Sequence, residues 1–125
     1  MPIKTHEFPR SHRLSGKNDF AAVYAADAKQ SRGPLAIYSK PNAFSHYRWG
    51  LSVSRRVGSA VRRNRAKRML RECIRLLHRD FPAAYDVVIV VRPHQPMTLA
   101  QYQKNLAALI ERGHNHWSAI PRTMT

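Results

Sequence analysis

The segment Tyr85-Asp-Val-Val-Ile-Val-Val91 is the strongest constraint on what this chain can become. It is nearly all β-branched and apolar, the pattern of a strand buried on both faces, with Asp86 at its mouth. Upstream, Tyr47 to Ser54 alternates: Tyr47, Trp49, Leu51 and Val53 share one face, and Arg48, Gly50, Ser52 and Ser54 share the other. One face is core and the other is polar and small. Between these two strands lies a helical stretch, and a strand-helix-strand order argues for parallel pairing.

That helix is capped by Ser59 after Gly58, runs to about Arg79, and is closed by Pro82. At 100° per residue, Ala66, Cys73, Ile74 and Leu77 fall within about 60° of Leu70, an apolar stripe suited to a sheet. Arg65, Arg68, Arg75 and Arg79 occupy the opposite side. Three further elements are expected. A short helix, capped by Asn18 or Asp19, carries Phe20, Val23 and Tyr24 at helical spacing and ends near Asp27. Leu35 to Lys40 alternates as a half-exposed strand before Pro41-Asn42 breaks it. Thr98 and Gln101 form a capping box ahead of Leu99, Tyr102, Leu106, Leu109 and Ile110, a last helix ending at Gly113.

At 125 residues and 43% apolar content the chain has material for one core, so residues 14–113 are read as a single α+β domain. Residues 1–13, with Pro2 and Pro9 and no hydrophobic period, read as a flexible basic arm, and residues 114–125 as a mobile tail. No run approaches the roughly 18 apolar residues of a membrane span, and the first residues lack a signal-peptide core, so a cytoplasmic location is expected. The lone Cys73 allows no internal disulfide, agrees with a reducing compartment, and reads as packing.

Charge narrows the function. With 22 Lys and Arg against 7 Asp and Glu, the net charge is +15, which makes a polyanion the default partner. Ten basic residues, Arg55, Arg56, Arg62, Arg63, Arg65, Lys67, Arg68, Arg71, Arg75 and Arg79, face one acid, Glu72, within that helix and its approach. A solvated helix face mixes signs to gain i,i+4 pairs, whereas these neighbours repel one another unless phosphates lie against them. Six neutralised phosphates would make log K fall by about 5 per decade of salt.

The run Leu51-Ser-Val-Ser-Arg-Arg-Val-Gly-Ser-Ala-Val-Arg-Arg-Asn-Arg-Ala-Lys-Arg-Met-Leu-Arg-Glu72 resembles the signature of the bacterial ribonuclease P protein family. The order of the remaining elements extends the resemblance over roughly residues 10–113. It implies a compact two-layer α/β sandwich of about four strands and three helices, of ribosomal-protein type, with a left-handed β-α-β crossover that breaks the usual handedness rule. It implies that Arg63, Asn64, Arg65, Lys67 and Arg68, with Arg55, Arg56, Arg62 and Arg71 beside them, dock the catalytic ribonuclease P RNA. Phe20, Tyr24 and Tyr38 match aromatic positions where the family binds the single-stranded 5′ leader of precursor tRNA, and Lys40, Arg48 and Ser52 would line the same cleft. Bases on aromatic faces with cations along the backbone suit such a role, although Phe20 and Val23 serve equally well as core.

No Ser/His/Asp set is evident, Asp19, Asp27, Asp80 and Asp86 lack the spacing of a two-metal nuclease, and His114-Asn-His116 reads as solvated tail. No catalytic or metal-ligating residue is therefore assigned. The resemblance implies that the RNA and its magnesium ions, held mainly by RNA and substrate, carry out the hydrolysis while the chain alone is silent. No obligate protein partner and no membrane contact is expected. A ribosomal-type protein binding structured RNA, or a DNA-binding protein, explains the charge equally well but not the aromatic set. A protein-only nuclease lacks its acids, and a membrane-surface helix would need the apolar stripe that the sheet consumes.

Overall fold

The computed structural model describes residues 12–14, 16–77 and 84–119. The chain runs α1 (Gly16–Ala25), β1 (Lys29–Arg32), β2 (Leu35–Pro41), β3 (Arg48–Val53), α2 (Ala60–Leu77), β4 (Tyr85–Val91) and α3 (Leu99–Ser118), with a 3-10 turn at Arg55–Val57. The apolar run becomes β4, an inner strand of a sheet ordered β1-β2-β4-β3. It pairs antiparallel with β2, Ile37 opposite Ile89, and parallel with β3, Leu51 opposite Ile89. The strand-helix-strand order thus yields the expected parallel pair.

Alternation along the strands splits the apolar residues between two faces. Leu35, Ile37, Trp49, Val87, Ile89 and Val91 meet Leu70, Cys73 and Ile74 of α2 and Tyr102, Leu106, Leu109 and Ile110 of α3 in the main core. Each fully buried Leu or Ile here contributes about 2 kcal/mol. Val88 on the opposite face packs with Leu14 and with Val23 of α1, and Phe20, Tyr38 and Val90 surround them. β2 is consequently buried along Leu35, Ala36, Ile37 and Ser39, not half-exposed. Both its edges are paired and both its faces are covered.

The helix ends show how far local signals reach. Ser59 Oγ accepts from Arg62 N at 3.3 Å. At α3 the capping box is complete, with Gln101 N donating to Thr98 Oγ1 at 3.2 Å and Thr98 N to Gln101 Oε1 at 2.8 Å. α1 departs from its expected bounds. It starts at Gly16, so Asn18 and Asp19 lie inside its first turn, and it ends at Ala25, with Asp27 following in a left-handed conformation of φ 56°.

α3 does not stop at Gly113 but continues to Ser118. A mid-helix glycine costs about 1 kcal/mol, and tertiary contacts beyond it offset that. Tyr85 Oη and His114 Nδ1 are 2.8 Å apart, and Trp117 Nε1 donates to Ser39 Oγ at 3.1 Å. Residues 114–118 therefore belong to the domain, and His114 is a packed residue of α3, not part of a solvated tail. At the other end, Leu14 N donates to Trp49 O at 2.9 Å and Arg13 bridges Trp49, so the arm is anchored along β3 from there. Its residues 1–11, like Arg79, Asp80, Pro82 and residues 120–125, lie outside the described residues.

β1, Lys-Gln-Ser-Arg, has no apolar pattern to announce it. It closes onto β2 through the two-residue Gly33-Pro34 turn, with Arg32 opposite Leu35 and Gly33 at φ 58°, a residue suited to the first position of a type II′ hairpin. Polar bonds hold it: Arg32 Nε donates to Asn105 Oδ1 at 2.9 Å, and Arg112 Nη1 to Ser31 O at 3.1 Å.

Candidate nucleic-acid interface

Burial of Ala66, Leu70, Cys73 and Ile74 fixes which side of α2 faces water. The line Asn64, Arg68, Arg71 recurs at i, i+4, i+7 and lies about 100° to 160° around the helix from Leu70. All three are exposed. Arg55 and Arg56 on the preceding 3-10 turn are exposed as well.

The neighbouring basic side chains are tied to carbonyls. Arg62 Nη2 donates to His94 O at 3.4 Å, Arg63 Nη1 to Gly58 O at 2.7 Å and Arg65 Nη2 to Met97 O at 3.1 Å. Those bonds fix their positions without neutralising them. Lys67 is half-buried on the same helix. Arg75 is different, because its Nε donates to Glu72 Oε1 at 3.1 Å and the pair cancels in charge. The expected docking residues 55–71 thus lie on one segment, with Asn64, Arg68 and Arg71 as its open line. Cys73 lies beneath them, its thiol pushed up to about 12 by burial and by the Glu72 charge, which leaves it inert.

The second basic and aromatic region lies on the opposite face of the sheet. Strand register arranges that face in three rows: Lys40–Asp86–Arg48, then Tyr38–Val88–Gly50, then Ala36–Val90–Ser52. α1 covers the middle row. Tyr24 meets Tyr38 edge-on with ring centroids 4.8 Å apart, and Lys29 Nζ sits 5.7 Å from the Tyr38 ring centre. Tyr24 is 37% exposed, so this pair remains open to a ligand. The tip of the Phe20 ring instead abuts Gly50, where a Cβ would come within 2.5 Å of its Cζ. Gly50→Ala should therefore push α1 off the sheet at a cost of about 1–3 kcal/mol. Thermal melting checks this, and an unchanged Tm would mean that Phe20 is not wedged there.

Of the cations expected to line this cleft, Arg48 is engaged by acids. Its Nε and Nη2 donate to Asp86 Oδ1 and Oδ2 at 2.9 and 2.7 Å, and its Nη1 lies 3.6 Å from Asp19 Oδ2. Burial pushes the Asp86 carboxyl up, but hydrogen bonds from Arg48 and Asn42 and the charges of Arg48 and Lys40 outweigh it, so the group is held below its ordinary value. The Asp86 hydrogen bond in turn raises Arg48. Ser52 and the pair Lys40 and Arg48 lie on either side of the middle row, about 13 Å apart along the strands.

Sequence reasoning missed two residues here, Lys29 beside Tyr38 and Arg92, whose Nη2 donates to Ser31 Oγ at 2.8 Å at the margin of the third row. The parity of Arg92 with Val90 is the signal that could have placed it. Among the described residues no three of His, Cys, Asp and Glu come together as a metal site, and no helix is long and apolar enough to cross a membrane.

Comparison with known proteins adds an independent line. The family model described as Ribonuclease P matches residues 8–114. The ribonuclease P protein component of Brevibacillus brevis is 36% identical over 105 residues, covering 82% of this chain and 83% of that protein. That of Methylococcus capsulatus is 34% identical over 123 residues, covering 98% of this chain and 91% of that protein. Among solved structures, the RNase P protein of Staphylococcus aureus superposes with a TM-score of 0.70 at 30% identity, covering 81% of this chain and 94% of that one. The RNase P protein of Thermotoga maritima gives a TM-score of 0.73 at 25% identity, covering 80% and 96%.

Proposed function

Because the chain belongs to the Ribonuclease P protein family, we propose that it binds the catalytic ribonuclease P RNA through α2 and assists removal of the 5′ leader from precursor tRNA. The observation that carries this reading is the line Asn64, Arg68, Arg71, which faces away from the core on a helix where Arg62, Arg63 and Arg65 are held in place beside it. The like charges of Arg68 and Arg71 repel each other, and phosphates laid against them would relieve that repulsion.

The residues present are consistent with a division of labour in which the RNA carries the chemistry. Asp19 of α1 and Asp86 of β4 flank the guanidinium of Arg48. The Arg48 guanidinium thus already pairs with both of these acids. Magnesium held by RNA and substrate would supply the activated water and charge stabilisation for phosphodiester hydrolysis, and the protein would supply affinity. The leader crosses the exposed edge of the Tyr24–Tyr38 pair, where unstacked bases find aromatic surface with Lys29 beside it. The place of action is the cytoplasm.

Tyr38→Ala tests the leader assignment. It should weaken holoenzyme binding of long-leader precursor tRNA by about 1–3 kcal/mol while leaving binding to the RNA subunit unchanged. Equal losses for leaderless and long-leader substrates would contradict it. A preference of the free protein for duplex DNA over structured RNA would contradict the function itself.

A further inference from the structure

Phe44, in the turn between β2 and β3, is 51% exposed, and neither core cluster contains it. An exposed phenylalanine on a loose turn would be unremarkable, but this one is held. Phe44 N donates to Asn42 Oδ1 at 2.9 Å, and Asn42 Nδ2 donates to Asp86 Oδ1 at 2.9 Å and to His46 O at 3.2 Å. The turn is thus fastened to a buried carboxylate in the sheet. The Arg48 guanidinium carbon lies 4.6 Å from the Phe44 ring centre. His46 stacks against Phe44 with centroids 5.7 Å apart at 24°, and His12 stacks on His46 at 4.1 Å and 27°.

Three near-parallel rings and a guanidinium plane therefore form a ladder on the surface. It stands beside the Lys40–Asp86–Arg48 row, on the other flank of α1 from Ser52 and Val90. The ladder is preorganised, so an occupant need not pay to order it. The exposed π surface of the ladder, with the Arg48 guanidinium over the Phe44 ring, suits a planar aromatic group, and a chain of charge +15 favours one carried on phosphates. Duplex bases are already stacked on their neighbours, whereas an unstacked base has a free face.

We infer that the Phe44–His46–His12 ladder is a second stacking station for one unpaired base of single-stranded RNA, separate from the Tyr24–Tyr38 pair. The inference rests on the RNA-binding function proposed above. The base could come from the leader or from an unpaired segment of the RNA subunit, and both present the same chemistry.

The test uses the full chain and fluorescence anisotropy with a labelled oligoadenylate at low salt. Phe44→Ala and Phe44→Leu should each weaken binding about ten-fold, the loss of one stacked base, and Phe44→Tyr should restore it. Parallel titrations with the RNA subunit, and of the holoenzyme with leaderless and long-leader precursor tRNA, show which strand supplies the base. A loss confined to the long leader places it there, and a loss with the RNA subunit places it in the catalytic RNA. Full binding by Phe44→Leu, or by every variant with all three RNAs, overturns the station, including the case in which the patch serves a protein partner. Wild-type protein that binds none of these RNAs overturns the proposed function as well.

Discussion

Changing Arg68 and Arg71 together to Ala should lower the slope of log K against log salt for RNA-subunit binding by about 2, and weaken the complex by nearly two orders of magnitude at about 0.1 M salt. Both side chains are exposed on the open line of α2, outside the buried stripe of Ala66, Leu70, Cys73 and Ile74, so the loss arises at the interface and not in the fold. Arg65 is a poorer choice for this experiment because it also holds Met97 O, and its removal would loosen the segment that leads into α3. An unchanged slope, with a melting curve like that of the wild type, would remove α2 from the docking role.

Asp86→Ala should destabilise the protein by about 3 kcal/mol. The substitution leaves the half-buried Arg48 with Asp19 at 3.6 Å and no bidentate partner, and it releases Asn42. The pH dependence has a definite sign. Asp86 is held below its ordinary 3.8, so its contribution is fully present above that value and is lost as pH falls through the lower folded value. Urea unfolding should thus separate wild type from variant at neutral pH, and the gap should narrow in acid below about pH 4. Equal stabilities at neutral pH would show that the pair contributes nothing.

What the sequence disclosed is local in origin. The β-branched run of β4, the stripe Ala66, Leu70, Cys73, Ile74, and the caps at Ser59 and Thr98 all depend on neighbours within one or two turns. β1 was not legible, because Lys29 to Arg32 owes its place to a tight turn and to bonds with Asn105 and Arg112, over 70 residues away in sequence. The continuation of α3 past Gly113 depends on Ser39 and Tyr85 in the same way. In the candidate site, the open line of α2 follows from its period. The engagement of Arg48 does not, since its partner Asp86 lies 38 residues on and meets it only through the parallel register of β3 and β4. Phe44 was passed over for a similar reason: nothing in Asn-Ala-Phe-Ser-His says that a distant carboxylate holds the turn.

In the proposed holoenzyme the protein gives affinity and the RNA does the chemistry. Its most direct test is cleavage of end-labelled precursor tRNA at low magnesium by a bacterial ribonuclease P RNA alone, by this protein alone, and by the two together. Cleavage at the mature 5′ end that requires both is the predicted result. No enhancement by folded, RNA-binding protein, or cleavage by the protein without RNA, would contradict it.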